Sequence, residues 1–350
     1  MSMRIFYAVQ ATGNGHISRA ATLLPYLSEY GKVDIFLSGN NYALKTELPV
    51  AYRSKGLSLQ YDKLTGSVDP WTTFQKVKLR KVWNDAKYLP IENYDLIIND
   101  FECVTALACR FKKIPSIQFG HQASFQSSHV PRPKKKDWMG EFVLSNYAKA
   151  THYLGLHFKE YDDFVCPPII KPSILAADPK DEGHITVYLS HVSDEIQIKI
   201  FSVLKNYQFQ VFSSSVSVPY QIHNIRFFPV NQEMFNHSMI HSHGVITGAG
   251  FETPAEALYL GKKLMVLPMK GQYEQQCNAA ALESYGVQIL ESFDSYFPVY
   301  FNKWIFESNI QPLELTMSIE EIVERLFSLQ NRIIQMKSDD DSFRIDAAVF

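Results

Sequence analysis

Hydrophobic positions along the chain fall into two alternating patterns. Short runs rich in β-branched and aromatic residues predict strands at Arg4–Val9, Val33–Leu37, Asp95–Asn99, Ser116–Phe119 and Thr151–Leu154. A second set follows at Ile185–Leu189, Phe209–Phe212, Ile225–Phe228, Gly244–Thr247, Leu264–Leu267 and Val287–Leu290. Several are unbroken apolar runs, as expected of strands buried on both faces. Between the strands lie longer stretches with helical spacing, such as Ala21, Leu23, Leu24 and Leu27. This alternation predicts an α/β fold of parallel sheets covered by helices.

The two sets part at Cys166-Pro-Pro-Ile-Ile-Lys-Pro-Ser and Ala177-Asp-Pro-Lys-Asp-Glu-Gly183, which neither helix nor central strand can cross. The expected division is a first Rossmann-like domain over 1–168, a linker over 169–183 and a second such domain over 184–336. A cleft between them would hold the ligand at the carboxyl ends of the strands. Ser318 and Glu321 form a capping box for a last helix over Ile319–Met336. Residues 337–350 are expected to be a poorly ordered tail.

Composition narrows the function classes. Charged residues make up 20% of the 350 and the net charge is −2, so a broadly basic nucleic-acid binder is excluded. Four scattered cysteines make neither a disulfide framework nor a CxxC zinc site, and they fit a reducing cytoplasm. No apolar run approaches the ~20 residues a spanning helix needs, and the first, Ile5–Val9, is too short for a signal-peptide core. Two basic stretches carry aromatic residues: Arg132 to Trp138, with Lys134, Lys135 and Lys136, and Gln75–Tyr88, with Trp83. Peripheral contact with anionic lipid through Arg132–Trp138 is one expectation and a plain solvated loop is the other.

Two glycine loops carry the candidate chemistry. The first, Gly13-Asn-Gly15-His16-Ile-Ser-Arg19, lies between a strand and a helix, where backbone amides and a positive helix end suit an anion. It is not a dinucleotide fingerprint: the third glycine position holds Ser18, and the second strand ends at Ser38 without the acidic residue. The helix end should lower the pKa of His16 and leave a neutral imidazole able to take a proton. The second loop runs Thr247-Gly248-Ala249-Gly250-Phe-Glu-Thr253-Pro254-Ala-Glu256. Thr253 suits a helix N-cap and Pro254 the first helical position. Glu256 then either completes a capping box or accepts hydrogen bonds from ribose hydroxyls, and spacing leaves both open. Gln272, Glu274 and Gln275 crowd polar groups at the next helix start, suited to a polyhydroxylated ligand or to solvent.

The segment Thr247–Gly286 resembles the donor region of two-domain GT-B glycosyltransferases. The likeness is to the group that includes the lipid-linked peptidoglycan N-acetylglucosaminyltransferase and the UDP-glucuronosyltransferases. Gly13-Asn-Gly15-His16-Ile-Ser-Arg19, Asn99-Asp100-Phe101-Glu102 and Pro115–Gln122 resemble the acceptor side of a microbial branch of that group. The resemblance implies transfer of a sugar from a nucleotide diphosphate donor, a UDP-sugar, to a hydroxyl of a glycan or lipid-linked acceptor. It implies Glu256 on the ribose, Gly248–Thr253 on the diphosphate, and Glu274 with Gln275 on the donor sugar. It also implies His16 as base with Asp100 behind it, and Glu102 is the competing base. Arg19 would help hold the diphosphate. No cofactor or metal is expected: His237, His241 and His243 precede a buried strand without an oriented fourth ligand, and Asp339–Asp341 does not follow a strand. A nucleotide-sugar epimerase and a non-catalytic nucleotide-sugar-binding subunit are the rival readings.

Overall fold

The computed structural model describes residues 2–39, 48–56 and 79–346. Among these, two seven-stranded sheets form, ordered β3-β2-β1-β4-β5-β6-β7 and β10-β11-β9-β8-β12-β13-β14. The first comprises β1 (Met3–Gln10), β2 (Gly31–Ser38), β3 (Val50–Ser54), β4 (Leu96–Asp100), β5 (Ile117–Gly120), β6 (His152–Leu156) and β7 (Val165–Cys166). The second comprises β8 (His184–Tyr188), β9 (Gln208–Ser213), β10 (Tyr220–Ile222), β11 (Ile225–Pro229), β12 (Gly244–Thr247), β13 (Lys263–Val266) and β14 (Gln288–Ile289). Every described pairing is parallel except the edge pair β10–β11. The α/β expectation of two parallel-sheet domains holds.

The strands that the apolar runs predict are the central ones and the edge strand β14. In β1, Ile5 to Val9 are all fully buried, because helices cover both faces of the sheet. Three strands escape the pattern: β3, the two-residue β7 and β10, all at sheet edges. β3 and β10 leave side chains exposed, which weakens their apolar signal, whereas β7 is buried but too short to form a pattern.

The last helix departs from expectation. Its capping box is present, with the Ser318 amide donating to Glu321 Oε2 at 2.7 Å and the Glu321 amide to Ser318 Oγ at 3.2 Å. However, the helix continues from Ile319 to Asp346 and does not close at Met336. No glycine or proline lies within it to stop propagation, and the Asp339–Asp341 run is part of the helix. The helix also returns to the first domain. Phe327 stacks on Tyr30 at 3.8 Å, and Gln330 Nε2 donates to the Asp95 carbonyl at 2.7 Å. Its Ile322, Val323 and Leu326 are buried in the same apolar cluster as Ile5 and Tyr7 of β1.

Candidate functional site

The site is built where the helix after β1 and the end of β4 in the first sheet meet the helix that follows β12 of the second. After β1 the chain turns through Gly13, the N-cap of helix Asn14–Ser28, which offers no side-chain cap. The third helical residue, His16, points its Nδ1 at Asp100 Oδ1, 2.9 Å away. Asp100 is the last residue of β4 and is fully buried. The chain leaves it through Phe101 in a left-handed conformation at φ 54°, a strained state for an aromatic residue. Gly120 closes β5 at φ 148°, and a Cβ there would lie 2.7 Å from Asp100 Oδ1. Glycine is therefore the residue that lets the Asp100 carboxylate lie flush with its neighbour strand.

Arg19 takes up most of the remaining bonding capacity of Asp100. Its Nη2 donates to both carboxylate oxygens at 2.7 and 2.9 Å, and its Nε donates at 3.2 Å. Its Nη1 pairs with Glu252, the first residue of helix Glu252–Tyr259 in the second domain. Arg19 is thus buried between two carboxylates, one from each domain. Burial alone would raise Asp100, but Arg19 and His16 outweigh it and hold its carboxyl below the ordinary range. His16 shows the reverse of the expected shift. Burial pushes it down, yet the Asp100 charge and hydrogen bond more than compensate and its pKa rises above the ordinary 6.5. The adjacent carboxylate outweighs the helix end.

Glu102, the competing base, turns toward its own helix. Its two oxygens accept from the amides of Val104 at 2.8 Å and Thr105 at 2.6 Å, capping helix Cys103–Lys112. It is fully buried, and burial raises its pKa despite those amides.

In the second domain, β12 delivers Thr247 and the loop Gly248–Gly250. Thr247 Oγ1 donates to the Tyr188 carbonyl at 3.1 Å. Ala249 is buried and its carbonyl accepts from Asn278 Nδ2 at 3.0 Å. A Cβ on Gly250 would meet open space. Gly248 lies beside Gln275, whose Oε1 accepts from the Met269 amide at 2.9 Å. A buried, unpartnered nitrogen, His191 Nε2, belongs to a ring that also borders Gly248.

The helix after this loop starts earlier than its sequence pattern implies. Its N-cap is Phe251, already in a helical conformation, and no side chain caps it. Thr253 and Pro254 are second and third in the helix, so the Thr253 cap and Glu256 capping box do not form. The first-turn amides are left without a side-chain acceptor, which is the arrangement that suits a phosphate. Glu256, 1% exposed, bonds Lys171 Nζ through Oε1 at 3.0 Å and Oε2 at 3.1 Å. Burial raises its pKa and Lys171 opposes that.

Glu274 and Gln275 are in the first turn of helix Tyr273–Leu282, with Gln272 its N-cap. Glu274 Oε2 accepts from Gln122 Nε2 of the first domain at 3.0 Å. Next to Gln122, the fully buried His121 stacks on Phe251 at 4.0 Å and lies 2.8 Å from Asn278 Oδ1. Sequence reasoning missed Lys171 and His191 and gave no individual role to Glu252, Gly120, His121 or Asn278, which lie inside the blocks it singled out. Glu252 had a local signal, an acid in a helix first turn beside a glycine loop. Lys171 had none, because its partner is 85 residues away.

The other candidates separate. His241 bonds the His237 carbonyl and His243 bonds Asp181 Oδ2 at 2.7 Å. Among the described residues no three His, Cys, Asp or Glu gather for a metal ion. Arg132 faces inward, donating to Glu141 and to the Val130 and Phe125 carbonyls, so it is withdrawn from the basic loop expected to meet lipid. Lys134, Lys135, Lys136 and Trp138 remain exposed. Of the second basic stretch, residues 75–78 lie outside the described residues. No helix among them is long and apolar enough to cross a membrane.

A family model for glycosyl transferase family 1 matches residues 3–296, most of the chain. The chain belongs to that family. It is a glycosyltransferase. No curated protein matches its sequence. Solved structures of the same fold include Acinetobacter baumannii MurG, 14% identical with TM-score 0.55, covering 94% of this chain and 99% of that one. The Streptomyces nogalater glycosyltransferase SnogD is 14% identical with TM-score 0.56, covering 94% and 100%. LpCGTa, solved in complex with UDP, is 12% identical with TM-score 0.60, covering 94% and 99%. The glycosyltransferase fold agrees with two parallel-sheet domains enclosing a cleft.

Proposed function

We propose that this glycosyltransferase moves a sugar from a nucleotide diphosphate donor, a UDP-sugar, to a hydroxyl of a glycan or lipid-linked acceptor without a metal. One observation carries the reading. The His16–Asp100 pair of the first domain and the uncapped helix start of the second meet in one cleft, joined by Arg19 and Glu252. Residues 1–168 then form the acceptor side and 184–336 the donor side.

In this scheme the diphosphate rests on the amides from Gly248 to Thr253, and the ribose hydroxyls bond Glu256. Glu274 and Gln275 face the donor sugar, with Gln272 at the same helix start. His16 donates its Nδ1 hydrogen to Asp100, which leaves Nε2 free to take the acceptor proton. The acceptor oxygen bonds the anomeric carbon as the carbon–oxygen bond to the β-phosphate breaks. The departing diphosphate keeps the electron pair, stabilised by main-chain N–H groups. UDP in the LpCGTa complex and dTDP in the VinC complex support a nucleotide diphosphate as ligand. Exposed Lys134–Lys136 with Trp138 supply cation and aromatic contacts for an anionic membrane surface near the first domain.

Calorimetry against UDP-, GDP-, dTDP- and CMP-sugars tests the donor class. Saturable binding of a UDP-sugar and transfer to an added acceptor are expected. An isomerised sugar formed without acceptor would make the chain an epimerase, and tight binding without turnover would make it a binding subunit.

A further inference from the structure

The ion pair beneath the donor helix joins two parts of the chain that the proposed chemistry treats separately. Lys171 lies in the proline-rich connection between β7 and β8, directly before Pro172. A following proline holds Lys171 extended, at φ −58° and ψ 142°. Its carbonyl accepts the amides of Ile174 and Leu175, both at 2.9 Å, so the backbone is pinned on the C-terminal side of the residue. The side chain is 14% exposed and its ammonium reaches both oxygens of Glu256. The charged groups acting on Glu256 are this lysine, from the connection, and Glu252, from its own helix. Lys171 is therefore its counter-charge, and Glu252 opposes ionisation.

A buried carboxylate deprived of its cation takes up a proton. That matters for ribose, because only the ionised form accepts on both oxygens; the protonated form turns one of them into a donor. We infer that Lys171 is a positioning residue of the donor site, which holds Glu256 ionised and aimed so that it can accept from the ribose hydroxyls. The inference rests on the reading that Glu256 binds ribose. It makes the connection between the domains part of nucleotide recognition.

Calorimetric titration with UDP, and with dTDP alongside, over pH 6 to 8.5 tests this on Lys171→Met, Lys171→Arg and Glu256→Gln. The affinity of Lys171→Met, taken relative to the unsubstituted protein, should fall at least ten-fold at pH 6 and recover as pH rises and Glu256 ionises. Lys171→Arg should restore binding, and Glu256→Gln should show a loss with no recovery at high pH. Adding Lys171→Met to Glu256→Gln should cost nothing further, since both act through one contact. Lys171→Gln carries the same test if the methionine variant does not fold. Full affinity in Lys171→Met with weak binding in Glu256→Gln would overturn the inference and leave the ribose reading standing. Full affinity in Glu256→Gln would overturn the ribose reading and the inference with it.

Discussion

Asp100 and Glu102 are two residues apart at the end of one strand, and they have opposite fates. Asp100 is the last residue of β4 and faces His16 and Arg19; Glu102 folds back onto the amides of the helix it caps. Sequence alone could place both near the cleft but could not choose between them. The choice is made by helix geometry, because the amides of Val104 and Thr105 claim the nearer carboxylate. Glu102→Ala should therefore cost about 0.5–2 kcal/mol of stability, the ordinary worth of an N-cap. Denaturant unfolding measures that loss, and turnover of the folded variant should be unchanged. His16→Ala should lower turnover by about 10²–10⁴-fold, the usual contribution of a general base, with donor binding kept. A base works when deprotonated, and His16 sits above the ordinary 6.5, so the rate should rise with pH through a midpoint above that value. Asp100→Asn removes the charge that opposes burial and should move the midpoint down. A pH–rate profile of the two proteins checks both statements.

At the scale of elements, the central strands were legible because a strand covered on both faces must be apolar throughout. The edges β3 and β10 were not, since they leave side chains exposed, and β7, though buried, is only two residues long. The donor helix shows a subtler limit. Thr253 and Pro254 match a helix start, yet Phe251 is already helical and the start moves toward the glycine loop. Local capping preference is worth about 1 kcal/mol, less than the packing of buried Phe251 on His121 and Phe158 can contribute. The close approach of β4 and β5 leads to another expectation. Gly120→Ala places a methyl against a carboxylate already bonded by Arg19 and forces an L-residue to φ 148°. It should cost more than about 1 kcal/mol of stability, and turnover should drop at least ten-fold. Thermal unfolding and steady-state rates together would register both effects.

Across the whole molecule, the sequence carried the two parallel-sheet domains but not the contacts between them. Arg19 to Glu252, Gln122 to Glu274, His121 to Asn278 and Lys171 to Glu256 each link residues far apart in the chain, and no local period encodes them. The same holds for the last helix, whose apolar face gave its existence but not its return to the first domain. In the proposed scheme, main-chain donors of the cleft these contacts build stabilise the leaving diphosphate. Transfer should accordingly survive a chelator, with initial rates in EDTA equal to those without it.

The account stands on where the donor nucleotide lies, and a crystal structure with a non-hydrolysable UDP-sugar analogue would locate it. The prediction is a diphosphate on the main-chain amides between Gly248 and Thr253, with the ribose hydroxyls on Glu256. Density for the analogue at any other place, or a closed pocket over that helix start in saturated crystals, would contradict it.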